Sequence, residues 1–352
     1  MSNFVKPLAC VGAALLISGC IEKEKIATVP DAENILFTTQ GDLLVTGGQN
    51  IYQLEQLSND DGSTYFDPKS VYSGDKCSFA GIAQSGDWAF AVCKEMYFEW
   101  KGFTFRFVQD THLLAADLTE ESINFVALDT GLENDPMDAM VIPNGLAFAP
   151  TGELLIADEN FFAQSSVGRI TLDYSGDYPK VVQFEADWLG SDYGVESPNG
   201  VRVSGAELYV SDKNRVRRFH FNEAGEIPLL FTNSAGDEVS NLPDDNIFYT
   251  GSVIIDDIMP YCGGIAVTHF LEGQLVYQNA VGEKYSTLPF SFDSPSALAI
   301  GQGPFFNGND LIVTEKGVLL EHNSDIGNQL TRVPMDFDLS DPLTCVALNN
   351  LD

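Results

Sequence analysis

The chain of 352 residues sets 51 Asp and Glu against 18 Lys and Arg, a formal net charge of −33. Such an acidic balance excludes binding to a nucleic-acid backbone, which needs basic side chains to release counterions. The acid is dispersed rather than blocked and names no function on its own. A hydrophobic fraction of 44% excludes disorder and is ample for one large all-β domain or two ordinary ones.

The first residues, MSNFVKPLACVGAALLISGC, place one Lys before an apolar run too short to span a bilayer, then small residues ahead of a cysteine. This is the pattern of an export signal, and Ile17-Ser18-Gly19-Cys20 resembles the lipobox of bacterial lipoproteins. The resemblance implies a signal peptide over 1–19, lipidation of Cys20 and a lipid anchor in the membrane of the cell envelope. Ile21 in place of Asp favours the outer membrane, facing the periplasm or the exterior. An ordinary secretory signal with Cys20 incidental is the alternative. Residues 20–32 read as a lipidated N-terminus and spacer, and 33–352 as a single domain, expected to be a monomer with an envelope protein as a candidate partner.

Cys77, Cys93, Cys262 and Cys345 remain after Cys10 leaves with the signal and Cys20 takes lipid, and an even remainder in an exported chain suggests disulfides. Cys77 and Cys93 bracket two strand-like runs around Ser85-Gly86-Asp87, which brings their ends side by side. A bridge there closes a loop of about 15 residues and is worth about 3 kcal/mol. The pairing of Cys262 with Cys345 stays open. A metal site from these four is disfavoured by the lack of CxxC or Cys/His spacing.

One unit then recurs in chain order, each copy an apolar strand, a turn holding Gly and a second apolar strand. The copies are ENILFTTQGDLLVTGG from Glu33, FAGIAQSGDWAFAVC from Phe79, PNGLAFAPTGELLIADEN from Pro143, PNGVRVSGAELYVSDKN from Pro198, DDIMPYCGGIAVTHF from Asp256 and SPSALAIGQGPFFNGNDLIVTEKG from Ser294. A more polar strand pair comes after each: NIYQLEQL with SVYSG, HLLAADL with INFVALD, GRITLDY with KVVQFEAD, VRRFHFN with IPLLFTN, QLVYQNA with EKYSTLPF, and VLLEHNS with NQLTRVPMD. Such units cannot bury both faces alone, so they stack; the expected fold is all-β, a six-bladed β-propeller with four antiparallel strands per blade. Capped helical stripes are nearly absent. A β-sandwich pair or a β-helix fits the strand count and unit length less well.

The innermost strand of each propeller blade lines the channel, so the start of that strand forms a ring: Glu33 with Asn34, Phe79 with Ala80, Asn144, Asn199, Asp256 with Asp257, and Ser296. Four blades offer hard oxygens, which suits calcium; the ring lacks the His and Cys that zinc prefers. Asn and Asp before Gly are also ordinary turn formers.

The segments SPNGVRVSGAELYVSDKNRVRRF, PNGLAFAPTGELLIADENFF and DAENILFTTQGDLLV resemble inner strands of the gluconolactonase and senescence-marker-protein (SMP-30) superfamily, with paraoxonases and strictosidine-synthase-like proteins as relatives. The similarity covers about residues 30–340. It implies a six-bladed propeller with one channel Ca2+, held by Glu33, Asn144 and Asn199; the stretch IIDDIMPYCGGIAV, similar to a paraoxonase segment, adds Asp256 as a further ligand with Asp257 beside it. Many members hydrolyse lactones or other esters. The chain departs from the paraoxonase pattern where a second-blade histidine is expected, for Ser78-Phe79-Ala80-Gly81-Ile82 holds none.

The resulting expectation is a calcium-dependent hydrolase acting on lactones or esters, with the metal polarising the carbonyl and a base activating water. Candidate catalytic groups are Asp256, Asp257 and His269, the last because imidazole titrates near neutrality. A calcium-bound carboxylate is a poor base. Asp158 and Asp212, where second strands end, are candidate bases or loop caps. Tyr97, Phe98, Trp100, Phe103 and Phe105 form an aromatic insertion suited to covering the channel mouth or packing on a neighbouring blade. The rival reading is a non-catalytic propeller with a structural calcium, serving as an envelope binding or scaffold protein.

Overall fold

The second strand of each repeat is apolar almost throughout, and in the computed structural model these strands are buried on both faces: Leu43, Leu44 and Val45 in one copy, Leu154 to Ala157 in another. A strand covered on both sides needs a sheet neighbour on each edge and a packed layer above and below, which stacked blades supply. The structure describes residues 23–334, except 60–63, 75, 100–103, 131, 133–135, 161, 262, 307, 309 and 318–325; for 96–99 and 104–109 it describes the backbone alone.

The first strand, β1 (Glu24–Thr28), does not join the sheet of the strands next to it in sequence. The first blade is β2 (Ala32–Phe37), β3 (Leu43–Gly47), β4 (Asn50–Ser58) and β5 (Thr64–Ser73), in that order from the channel outward. The second is β6 (Cys77–Ser85), β7 (Trp88–Glu99), β8 (Thr104–Asp117) and β9 (Val126–Ala127). The third is β10 (Ile142–Phe148), β11 (Leu154–Glu159), β12 (Val167–Asp173) and β13 (Lys180–Leu189). The fourth blade begins with β14 (Pro198–Ser204), β15 (Glu207–Asp212) and β16 (Arg215–His220). A separate hairpin, β17 (Leu230–Thr232) with β18 (Glu238–Ser240), precedes its outer strand β19 (Ile247–Thr250). The fifth is β20 (Ile255–Tyr261), β21 (Gly264–His269), β22 (Gln274–Gln278) and β23 (Lys284–Ser286). The sixth is β24 (Pro295–Ile300), β25 (Asp310–Glu315) and β26 (Gln329–Pro334), with β1 as its outer strand.

The inner strands β2, β6, β10, β14, β20 and β24 neighbour one another in sequence order, and β24 returns to β2, which closes the ring. The fold is therefore a six-bladed β-propeller. Its core is divided among the blade interfaces: Leu146, Leu154 and Ile156 of the third blade pack on Phe90, Val92 and Leu113 of the second, and Ile255, Ile258 and Val267 of the fifth on Tyr209, Val216 and Tyr249 of the fourth. Each blade thus depends on both neighbours.

Two outer strands differ from the sequence expectation. IPLLFTN contributes to the β17–β18 hairpin, and the edge of the fourth blade is instead β19, which pairs with β16. In the sixth blade NQLTRVP is the third strand and the fourth comes from residues 24–28, within the segment read as spacer, with Glu24 opposite Arg332 and Thr28 opposite Gln329. Pairing between strands some three hundred residues apart leaves no local signature in sequence. VLLEHNS lies entirely outside the described residues.

Cys77 and Cys93 form the expected disulfide, with Cα atoms 5.2 Å apart. Cys20, Cys262 and Cys345 lie outside the described residues, as do Trp100 and Phe103 and the side chains of Tyr97, Phe98 and Phe105. No helix among the described residues is long and apolar enough to cross a membrane.

Candidate functional site in the central channel

Every inner strand carries a register shift at its start: between Ala32 and Asn34, Phe79 and Ile82, Pro143 and Leu146, Pro198 and Val201, Ile255 and Ile258, and Pro295 and Ala297. An extra residue in one strand bends it and re-aims side chains. The ring residues Glu33, Ala80, Asn144, Asn199, Asp256 and Ser296 all sit inside these bulges, at equivalent places. The ring expected from the sequence is thereby assembled, with Ala80 rather than Phe79 in the second blade; Phe79 belongs to the core between the first two blades.

Hydroxyls from the second strands of the first, fourth and sixth blades lock the bulges there and tie them to the next blade. Thr46 Oγ1 accepts the Asn34 N–H at 3.0 Å and donates to Ala80 O at 2.6 Å. Ser211 Oγ accepts the Gly200 N–H at 2.6 Å and donates to Asp256 O at 2.9 Å. Thr314 Oγ1 accepts the Ala297 N–H at 2.7 Å and lies 3.0 Å from Glu33 O, across the closure of the ring. At these three junctions neighbouring ring positions are thus fixed relative to one another by second-strand side chains.

Glu33, Asn144, Asn199 and Asp256 are all buried. Two further side chains join them that the ring position alone does not reveal. Glu159 and Lys316 each come directly after a paired residue near the end of a second strand, Asp158 opposite Pro143 and Glu315 opposite Pro295. Strand alternation turns them the other way from that residue, toward the channel. Lys316 Nζ donates to Glu33 Oε2, and the Asn199 amide supports the Glu159 carboxylate. Burial, the largest effect, pushes the Glu159 carboxyl up to about 7, aided by the repulsion of Glu33 and against the Asn199 hydrogen bond. Asp256 is raised well above the usual carboxylate range, first by burial and then by Glu33 and Glu159. Burial acts to lower Lys316, but the charge of Glu33, its hydrogen bond and the charge of Asp256 outweigh this and raise it.

Below the ring, Arg202 crosses the channel. Its Nη2 lies 2.5 Å from Asp257 Oδ2 in the fifth blade and 3.2 Å from Asn34 Oδ1 in the first, and Nη1 donates to Val201 O at 3.0 Å. The first and fourth blades stand opposite each other, so this guanidinium bars the axis. Asp257 is raised by burial, an effect that Arg202 and the backbone N–H groups of Ile258 and Leu298 oppose.

The remaining sequence candidates are placed elsewhere. His269 is buried at the end of β21, with Nε2 2.9 Å from Tyr249 Oη on the outer strand of the preceding blade and Nδ1 2.9 Å from Glu272 Oε2. Those contacts direct it away from the ring. Asp158 Oδ1 accepts the N–H groups of Val141 and Ile142 at 2.7 and 2.9 Å, and Asp212 Oδ1 those of Glu196 and Ser197 at 3.0 and 2.8 Å. Both are caps on the connection entering the inner strand. Asp212 Oδ2 also meets Arg217 Nε at 2.8 Å in a fully buried pair.

The donor set suits a hard divalent cation. Three carboxylates, Glu33, Glu159 and Asp256, face one ammonium, and neither the Asn144 amide nor the Asp256 carboxylate makes a side-chain hydrogen bond among the described residues. No three His, Cys, Asp or Glu side chains among the described residues converge to hold a metal by themselves. A cation here would rely on the Asn144 and Asn199 amides as much as on the carboxylates, a mixture that calcium accepts.

No known protein family's sequence profile matches the chain, and no curated protein is similar to it in sequence. Solved structures are similar in fold. The PQQ-bound aldose sugar dehydrogenase of Streptomyces coelicolor shares 13% identity at a TM-score of 0.52, over 89% of this chain and 98% of that one. An oxidoreductase (glucose dehydrogenase) from Thermus thermophilus shares 14% identity at 0.53, over 89% and 99%. A luciferin-regenerating enzyme shares 14% identity at 0.53, over 91% and 98%. At such identities the likeness extends to the propeller itself.

Proposed function

We propose that the chain is a calcium-dependent hydrolase of lactones or other esters, of the gluconolactonase and paraoxonase type, held in the cell envelope through Cys20. The observation that carries this reading is the bulged ring, which gathers Glu33, Asn144, Asn199 and Asp256 from four blades at one level of the channel. Calcium, when bound, would polarise the substrate carbonyl and stabilise the oxyanion.

The chain's own residues do the rest. Asn144 and Asn199 offer amide oxygens from rigid strands. Arg202 bars the channel beneath them, so substrate approaches from the face where the inner strands begin, and water is limited to that side. Glu159 is the proton acceptor this geometry favours: it faces the ring, touches Asn199 and makes no ion pair among the described residues, whereas Asp257 is engaged by Arg202 and His269 by Tyr249 and Glu272.

The scaffold reading keeps one observation in its favour, the alanine at the second-blade ring position, which leaves no histidine in the ring. Metal analysis of purified protein, followed by a lactone and aryl-ester screen of wild type and Glu159→Gln, separates the two. Calcium with turnover that Glu159→Gln abolishes is expected; calcium with no turnover on any substrate establishes a structural plug, and no calcium removes both.

A further inference from the structure

Glu315, the residue before Lys316, is held by the sixth blade: Asp293 N–H donates to its Oε2 at 2.6 Å, Gln329 Nε2 to its Oε1 at 2.9 Å, and Thr331 to the same Oε1. The backbone that presents Lys316 is therefore fixed, and its ammonium reaches Glu33 in the adjoining first blade across the closure of the ring. Arg202 is already committed to Asp257 and Asn34. Among the described residues Lys316 is thus the cation that faces Glu33, Glu159 and Asp256. Without it the buried Glu33 carboxylate would lose its direct counter-ion at the junction of the sixth and first blades, so the metal-free ring leans on this ammonium.

We propose that Lys316 is a tethered counter-ion of the ring, holding the carboxylates together when no metal is bound and ceding part of Glu33 to a divalent cation when one arrives. The inference rests on the calcium reading of the same site and adds to it a residue that sets affinity. Cation affinity in oxygen-ligand sites follows the ligand charge count. A site carrying a built-in positive charge binds more weakly than its ligands alone would, and in return stays assembled at low calcium.

The test is calcium titration by calorimetry and thermal melting of the purified protein as wild type, Lys316→Met and Lys316→Arg. Lys316→Met is expected to melt lower than wild type without metal, to bind calcium about tenfold or more tightly, and to gain more in melting temperature from calcium. Lys316→Arg, which keeps the charge, is expected to stay near wild type in both. Equal calcium affinity in wild type and Lys316→Met overturns the inference while leaving the calcium site standing. Absence of calcium binding in all three proteins removes the site itself and the exchange with it. Should Lys316→Met fail to fold without metal, refolding in calcium recovers it if Lys316 is the counter-ion; no recovery overturns the inference.

Discussion

Cys93 holds in the second blade the place that Asp158 holds in the third. Each pairs with the residue that opens the bulge, Phe79 or Pro143, and each fastens the residue two positions before it, Cys77 by a disulfide and Val141 by a hydrogen bond of 2.7 Å. Asp212 does the same for Glu196 and Glu315 for Asp293. In the first blade the place belongs to Gly47, where any Cβ would lie 2.4 Å from Pro30 O. His269 is the fifth-blade equivalent, opposite Ile255. The disulfide is one of several solutions to a single problem, the anchoring of the connection that feeds each inner strand.

Replacing both Cys77 and Cys93 by Ser should therefore cost about 3 kcal/mol, the entropy of a loop closed over 16 residues. Denaturant melts of oxidised, reduced and substituted protein check this. Calcium affinity is expected to be unchanged, because the second blade contributes only Ala80 to the ring.

Asp212→Ala should be more damaging, at about 3–5 kcal/mol, because it strands the buried Arg217 guanidinium as well as two N–H groups. Asp158→Ala, which leaves only the N–H groups of Val141 and Ile142 without their acceptor, should cost about 1–3 kcal/mol. Equal losses in urea titrations would contradict the ranking.

Arg202→Ala leaves Asp257 buried without its partner, and a loss of about 3–5 kcal/mol is expected. Adding Asp257→Asn should restore part of it, a coupling readable from a double-mutant cycle. Strict additivity of the two changes would show that the cross-channel contact contributes nothing.

For the ring, Asn144→Ala and Asn199→Ala should each weaken calcium binding while leaving the metal-free melting temperature within a few degrees, since neither amide anchors a strand. Calorimetry on both variants decides. Unaltered affinity in both would return the two Asn-Gly pairs to ordinary turn chemistry.

Cys20→Ala should leave a precursor that is unprocessed or displaced from the membrane fraction. Fractionation and mass spectrometry check this; processing and localisation like those of wild type would remove the lipid anchor.

The repeat made the propeller and the ring legible because one bulge and one turn recur in each blade, so Pro143-Asn144-Gly145 and Pro198-Asn199-Gly200 could be read in register. What escaped depends on the third dimension. Glu159 and Lys316 stand at the strand ends, where ordinary loop charges also occur, and only strand alternation and the closing of the ring turn them inward. His269 offered an imidazole of suitable chemistry, but its place in the repeat is that of a cap, visible once Asp158 and Asp212 are seen holding their connections. A useful signal was present in the sequence: acids at matched strand ends in different blades point to a shared structural duty, and the residue after each is the one to examine.

The strand from Glu24 to Thr28 has its partner some three hundred residues downstream, Glu24 opposing Arg332. During synthesis that segment emerges ahead of all six inner strands and finds its place only once β26 has followed them. A chain cut short before Gln329 would expose the outer edge of β25 and leave Ala27 and Val29 without the cover of Leu330. Five blades could stack by then, yet none of the ring's cross-closure contacts, Thr314 to Glu33 or Lys316 to Glu33, would be secured by a completed sixth sheet. The channel site therefore matures as one late event, and partial products of translation or proteolysis are expected to be open, sticky arcs rather than smaller working versions of the protein.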